Sequence, residues 1–277
     1  DIKSAARAFT GWTYDTPVAL YPFGHFDVNY RFRPDDHDDG QKTFLGHTGN
    51  LDGEDIVNII TEQEATARFI GRHLYNFFVA DEAQVPAWSI EPPADPAAID
   101  DLVKAWIDSN ADMKAVMRTL FNSEWFKAAR FKHAKSPTEF VASVLKLSGE
   151  YGEPAPDLHK LENTIVTMGQ KLMDPPSVEG WHTGKEWIDG GTLTERVNYA
   201  IDTLNNPDKP GVKAIIDRIS AQGNLTSPEQ LVDNVLDLIG PLEVEAGTRD
   251  TLVDHAQIEG SLDWSSTPAA ESRAARV

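Results

Sequence analysis

The spacing of apolar residues is the feature of this 277-residue chain that most constrains its fold. From about Glu62 to Val79, and again from Ile99 to Ile107, apolar side chains recur at intervals of three and four residues. That spacing places them along one face of an α-helix. Because most of the remaining chain repeats the pattern, the sequence predicts a mostly α-helical protein, an irregular bundle of several helices.

Signals for helix starts and stops agree with the periodicity. Asp95 precedes Pro96, which is typical of an N-cap residue followed by proline at the first helical position. Ser136 and Glu139 have the spacing of a capping box, in which each side chain bonds the backbone of the other. The pair Pro175-Pro176 ends a helix, since proline cannot continue one. These signals predict the same helices as the apolar spacing.

One segment has the pattern of a β-strand instead. From Asp27 to Arg33 apolar and polar residues alternate, which is the period of a half-buried strand. We predict a small β-hairpin inserted between helices, with residues 43–45 as its second strand and the acidic segment 35–41 as its connection. Without an internal repeat or an obvious linker, residues 1–264 are predicted to form a single helical domain. Residues 265–277 are small and polar, and we expect them to be disordered.

Composition excludes several classes of function. Asp+Glu 44 against Lys+Arg 25 gives a formal net charge of −19. This charge repels phosphate groups, so nucleic acid and anionic membranes are poor partners, whereas cations are favoured. The absence of cysteine excludes thiolate catalysis and cysteine-ligated metal centres. No apolar run approaches the ~20 residues that cross a bilayer, so no membrane span is predicted.

The acidic segment 35–40 is the first candidate site. His37, Asp38 and Asp39 could ligate a divalent metal on a loop that Gly40 bends. The flanks lack the helices and the final glutamate of an EF-hand, which leaves a looser Ca²⁺ or Mg²⁺ site. Zn²⁺ is a weaker candidate and would need His47 as a second ligand. The alternative is that these side chains hydrogen-bond the loop backbone and that Lys42 pairs with a carboxylate.

A loop rich in tryptophan is the second candidate site. Trp181, His182 and Trp187 lie close together between glycines, and Trp faces stack on sugar rings and cations. His182 could add a polar contact or transfer a proton. Arg196 lies one turn into the helix predicted after this loop, and its guanidinium group could bind an anion. The alternative is that the Trp side chains fill the core where the chain turns.

Recognised catalytic motifs are missing. The chain has no G-x-S-x-G nucleophile elbow and no glycine-rich phosphate loop of either common type. Serine, histidine and aspartate are scattered without an arrangement that indicates a catalytic triad. Nothing in the sequence therefore indicates nucleophilic catalysis or nucleotide binding, and whether the protein is an enzyme is left open.

Five blocks in a fixed order carry a resemblance to a known family. They are residues 5–12, 37–46, 53–56, 136–141 and 168–187. The last block is the most distinctive, because it combines Met-Gly-Gln, Pro-Pro, Gly-Trp and a final Gly-x-x-Trp. In these blocks the chain resembles a large bacterial family named domain of unknown function 1800. Family members have an Asn-x-x-x-Arg-Glu-Leu segment further upstream, so the resemblance implies that this chain is the C-terminal part of a longer domain.

The resemblance implies an exported protein of the periplasm, cell envelope or extracellular space, although no signal peptide is present in this sequence. It also implies a sulfatase-like companion protein, but no established activity. We therefore expect a non-catalytic helical scaffold or binding protein that acts with this companion or with an envelope polysaccharide. The rival hypothesis is a metal-dependent hydrolase that uses the acidic loop, with His37, Asp38 and Asp39 as ligands or base. A third is that both loops only hold helices together.

Overall fold

A computed structural model describes residues 1–14, 19–20, 25–26, 29–153, 156, 158–181, 183–240, 242–258 and 260–277. The chain forms two compact units, Asp1–Lys132 and His133–Val277. The single domain predicted over residues 1–264 stays a prediction. Each hydrophobic cluster of the described residues lies within one unit, so each unit has its own core. No linker pattern marks the boundary, which is why the sequence did not indicate it.

The first unit contains short helices and paired strands. Its helices are α1 (Ile2–Ala8), α2 (Gly53–Thr61), α3 (Glu64–Phe78), α4 (Pro96–Asp108), α5 (Met113–Asn122) and α6 (Glu124–Lys127). Its strands are β1 (Trp12–Tyr14), β2 (Ala19–Leu20), β3 (His25–Phe26), β4 (Tyr30–Phe32), β5 (Lys42–Phe44) and β6 (His47–Gly49). Short 3-10 helices occur at Pro34–Asp36 and Val85–Ser89.

The strand at residues 30–32 is confirmed, but the predicted hairpin partner is wrong. β4 pairs antiparallel with β1, and β5 pairs antiparallel with β6 instead. Leu45 and Gly46 join β5 to β6, and both have positive φ, 47° and 86°. A two-residue loop of that conformation matches the twist of a hairpin, so β5 pairs with β6, the strand that follows it directly. Asp27 and Val28 lie outside the described residues.

The larger of the two hydrophobic clusters among the described residues of the first unit lies mainly where α3 packs against α4. Gly71 of α3 permits this close packing, because a Cβ built there would lie 3.3 Å from the Cβ of Leu102 on α4. Trp106 of α4 donates from Nε1 to the carbonyl of Thr61, 2.8 Å away, and so fixes α4 to the end of α2. The cap predicted at Asp95 is confirmed, since its side chain accepts the amide of Ala98. This packing holds α3 and the segment before α4 in a fixed relation.

The second unit is mostly helical. Its helices are α7 (Pro137–Ser148), α8 (His159–Thr167), α9 (Gly190–Leu204), α10 (Pro210–Ser220), α11 (Pro228–Ile239), α12 (Ala246–Gln257) and α13 (Thr267–Arg276). Strands β7 (Leu225–Thr226) and β8 (Leu262–Asp263) pair antiparallel. Short 3-10 helices occur at Gly184–Trp187 and Trp264–Ser266. The capping box of Ser136 and Glu139 is confirmed at the start of α7.

The last residues form helix α13 in the structure, at positions for which the sequence predicts disorder, residues 265–277. Helix α13 buries Ala270 and Ala274 in the core of the second unit. Trp264, just before it, donates from Nε1 to Oγ1 of Thr226. Alanine contributes little to an apolar periodicity, so sequence spacing misses a helix that packs through small residues. The mostly α-helical fold class with small β-hairpins is confirmed. No helix of the described residues is long and apolar enough to cross a bilayer.

Candidate functional site

Asp38 of the acidic segment is held by an arginine. Arg7 of α1 donates from Nε to Oδ2 at 2.6 Å and from Nη2 to Oδ1 at 3.0 Å. The amide of Gly40 also donates to Oδ1, at 2.8 Å. The Arg7 hydrogen bond, followed by that of Gly40, holds the pKa of Asp38 far below its ordinary value. Both carboxylate oxygens are therefore occupied by internal donors.

The neighbours of Asp38 also bond to protein groups. His37 Nδ1 lies 2.8 Å from the carbonyl oxygen of Thr10, and the amide of Asp38 donates to Oγ1 of Thr10. Lys42 is only 2% exposed, and its Nζ donates to the carbonyl of Asp38 and to Oδ1 of Asn50. Lys42 thus bonds the backbone oxygen of Asp38 and the side chain of Asn50, whereas the alternative interpretation paired it with a carboxylate. These contacts fasten the segment to the end of α1.

The predicted metal site has no supporting arrangement in the part of the chain that the structure describes. There, no group of three or more His, Asp or Glu side chains could hold a metal ion. His37 and Asp38 make the internal hydrogen bonds given above, and Asp39 is exposed. Metal binding by His37, Asp38 and Asp39 stays a prediction.

The Trp loop presents less aromatic surface than its sequence suggests. Trp187 is 7% exposed, and its carbonyl accepts a hydrogen bond from Oγ1 of Thr192. Trp181 is partly buried, and within the described residues its Nε1 is a buried donor without a partner. His182 lies outside the described residues. The buried Trp187 is what we expect of a core side chain at a chain turn.

Arg196 occupies a buried position on α9. It is 5% exposed, donates from Nη1 to the carbonyl of Lys135 at 3.0 Å, and has its guanidinium carbon 5.2 Å from the Phe140 ring centre. Burial lowers the pKa of Arg196, because desolvation disfavours the charged form. Helix α9 begins at Gly190, where Asp189 caps it by accepting the amides of Gly191 and Thr192.

An open groove in the first unit is the feature that sequence reasoning missed. It lies between α3 and the segment that precedes α4, with a volume of about 490 Å³. We call it the aromatic groove. Its lining residues are Ala65, Arg68, Phe69, Arg72, Trp88, Ser89, Ile90, Glu91, Pro92 and Pro93. The volume is within the ~300–1,000 Å³ that small-molecule sites occupy.

Phe69 and Trp88 are the aromatic lining residues of this groove, and His73 packs against both rings. Phe69 lies 5.8 Å from Trp88 and 4.5 Å from His73, measured between ring centres, and His73 lies 4.6 Å from Trp88. Phe69 is 49% exposed, so much of its surface is open to a ligand. Trp88 is fixed by a hydrogen bond from its Nε1 to the carbonyl of Ala83, 2.7 Å away. Trp88 is therefore held in place, whereas Phe69 is exposed to solvent.

A buried ion pair fixes the groove wall. Arg72 of α3 donates from Nε and Nη2 to Oε2 of Glu82, at 3.0 and 2.8 Å. It also donates to the carbonyls of Glu91 and Pro92, and its guanidinium carbon lies 4.6 Å from the Trp88 ring centre. Arg72 therefore holds the wall segment against α3 through four hydrogen bonds and one aromatic contact.

Two features of the sequence concealed this groove. Phe69 fits the apolar spacing of α3, but the buried face of that helix is formed by Ala67, Gly71 and Tyr75. Trp88 lies in the proline-rich segment between α3 and α4, outside the apolar spacing of either helix. The combination of tryptophan and proline in a loop was the available signal, since binding residues are often carried by loops on a rigid scaffold.

Fold and candidate sites together describe a mostly helical protein of two compact units, with an open aromatic groove in the first. The chain belongs to the family described as protein of unknown function (DUF1800), whose model matches residues 1–268. This match confirms the resemblance found in the sequence. No curated protein and no solved structure matches the chain significantly.

Proposed function

We propose that this chain is a non-catalytic binding protein of the bacterial cell envelope or extracellular space, and that it binds a neutral polysaccharide in the aromatic groove. The observation that carries the proposal is the half-exposed Phe69 beside Trp88, which is held in place by one hydrogen bond and by its contact with Arg72. Aromatic faces stack on the apolar faces of sugar rings. A fixed aromatic wall favours binding because little freedom is lost when the ligand arrives.

Charge favours a neutral ligand. The ionisable lining residues of the groove are Arg68, Arg72 and Glu91. Arg68 already pairs with Glu64 and Asp100, and Arg72 pairs with Glu82. No unpaired cation therefore faces an acidic polymer, and the net charge of −19 repels one. Uncharged sugar rings meet neither obstacle.

Two other hypotheses follow from the sequence. A sulfatase-like companion protein is the alternative partner, and the same groove could receive one of its segments. The metal-dependent hydrolase would use His37, Asp38 and Asp39, but the two oxygens of Asp38 are engaged by Arg7 and Gly40. The polysaccharide proposal has the more direct support, because the groove is open.

A titration with soluble oligosaccharides tests the proposal. The probes are chitohexaose and cellohexaose, with polygalacturonate as the acidic comparison, and the measurement is the dissociation constant from calorimetry. We expect a neutral oligosaccharide to bind and Phe69→Ala to weaken it about tenfold, which corresponds to ~1.4 kcal/mol of lost stacking.

Phe77→Ala is the matched control. Phe77 lies on the same helix, is 72% exposed and is not part of the groove lining, so its removal should leave the affinity unchanged. Equal losses in Phe69→Ala and Phe77→Ala, or the absence of binding to either neutral probe, would contradict the proposal. A loss in Trp181→Ala instead would move the site to the Trp loop.

A further inference from the structure

Four arginines can be compared by how they use the same edge of the guanidinium group. Nε and Nη2 lie side by side and form a fork that matches the two oxygens of a carboxylate. Arg7 directs this edge at Asp38, Arg72 at Glu82 and Arg249 at Asp233. All six donor distances fall between 2.6 and 3.0 Å. In this protein the fork is a recurrent carboxylate clamp.

Arg196 presents the same edge without an acceptor. Its Nη1 donates to the carbonyl of Lys135, whereas Nε and Nη2 are buried donors that no hydrogen-bond partner meets within the described residues. Arg72 and Arg196 are comparably buried, at 5% exposure each, but only Arg72 has a carboxylate. A buried charge without a counter-ion is strongly unfavourable, so an anion placed against this edge would be strongly bound.

The position of Arg196 is fixed before any ligand arrives. Its Nη1 bond to Lys135 and its contact with the Phe140 ring orient the guanidinium plane from two sides. The adjoining start of α7 contributes no free donors, because Gln170 Oε1 accepts the amide of Thr138 and the Ser136 side chain accepts that of Glu139. Recognition at this place therefore depends on the Arg196 fork.

We propose that the Nε–Nη2 edge of Arg196 is a binding site for the carboxylate of a small organic acid. The planar fork specifies a planar carboxylate, as it does at Arg7 and Arg249, where each donor meets its own oxygen. At Arg72 both donors meet Oε2 of Glu82. Burial of the edge selects small ligands and strengthens the interaction, because water does not screen it. The site lies in the second unit and uses no residue of the aromatic groove, so it stands or fails independently of polysaccharide binding.

The test follows the arginine side chains of the whole ¹⁵N-labelled chain by NMR. Sodium acetate or sodium formate replaces sodium chloride at constant ionic strength, and the Nε–H resonances are recorded. We expect the resonance of Arg196 to shift and saturate. Those of Arg7, Arg72 and Arg249 serve as internal controls and should stay in place, because carboxylates already occupy their forks.

Thermal unfolding gives a second readout. A tenfold excess of acetate over its dissociation constant should raise the unfolding midpoint by about 3 °C. Arg196→Lys keeps the charge but lacks the fork, and should lose this rise. Arg218→Gln removes an exposed arginine of the same unit and should retain it.

Three outcomes would overturn the proposal. An Arg196 resonance that neither carboxylate moves would show that the fork binds none of them. Equal acetate effects in wild type and Arg196→Lys would show a non-specific effect of the salt. Tighter saturation by sulfate than by acetate would assign the site to tetrahedral anions. If Arg196→Lys fails to fold, the wild-type NMR titration decides alone.

Discussion

At the scale of single residues, the central contact is the buried pair of Arg72 and Glu82. The side chain of Arg72 is 6% exposed and that of Glu82 is 1% exposed, and Glu82 Oε1 also accepts the amide of Ala94. Removing one partner would leave the other charge buried without compensation. The pair is important less for net stability than because it fixes the wall that carries Trp88.

Arg72→Met tests this role. We expect the free energy of unfolding to fall by about 3–5 kcal/mol, since Glu82 would remain as an unpaired buried charge. Arg68→Met is the control, because Arg68 makes exposed ion pairs with Glu64 and Asp100 that are worth about 0–1 kcal/mol. Both values come from urea denaturation. Similar losses in the two variants would mean that Arg72 is no more than a surface charge.

Asp38 makes the stability of the fold depend on pH. Its pKa in the folded protein lies far below the value of about 3.9 for an unfolded aspartate, because Arg7 and the amide of Gly40 bond the charged form. The stabilisation is therefore present above pH ~4 and is lost as pH falls toward the folded pKa. We expect Asp38→Asn to have a flatter decline of unfolding free energy between about pH 5 and pH 2 than wild type.

Removing the cation provides the check on that interpretation. Arg7→Gln eliminates the first cause of the lowered pKa and should also flatten the decline, measured by the same denaturant titrations at each pH. A wild-type slope in Asp38→Asn would assign the acid sensitivity to other carboxylates.

At the scale of elements, the close contact of α7 and α10 depends on a glycine. A Cβ built on Gly211 would lie 1.9 Å from the carbonyl oxygen of Leu147, which is backbone and cannot rotate away. Gly211→Ala should therefore push the two helices apart and lower the free energy of unfolding by about 1–3 kcal/mol or more.

Gly247→Ala is the matched control on α12. Nothing lies within 4 Å of a Cβ built there, so alanine should stabilise the helix by up to about 1 kcal/mol. Thermal and urea unfolding of both variants give the comparison. If Gly211→Ala is as stable as wild type, the carbonyl of Leu147 does not lie close enough to Gly211 to exclude a Cβ.

Elements differ in how well the sequence predicts them. The sequence predicts helices with caps and apolar spacing, such as α4 and α7, together with their start positions, because those signals are local. The pairing of β4 with β1 is not predicted, because the two strands lie far apart in sequence and apolar alternation does not specify a partner strand. The exposure of Phe69 was also not found, since apolar spacing indicates a helix but does not distinguish its buried edge from its open one.

At the scale of the whole molecule, each unit contributes a separate candidate site. The aromatic groove belongs to the first unit and the Arg196 fork to the second. The sequence predicts Arg196 as an anion-binding residue from its position near the Trp loop. That its Nε and Nη2 lack an acceptor among the described residues is visible only in the structure. A net charge of −19 applies to the chain as a whole, whereas each site is defined by a few locally paired or unpaired groups.

The measurement that tests the central claim most directly is hydrogen–deuterium exchange of the whole chain, with and without saturating chitohexaose. If the aromatic groove is the binding site, slower exchange should be confined to peptides covering α3 and residues 85–94. The same experiment on Phe69→Ala at equal concentrations should show weaker protection. Protection centred on residues 177–189, or bound saccharide without protection at α3, would contradict the account.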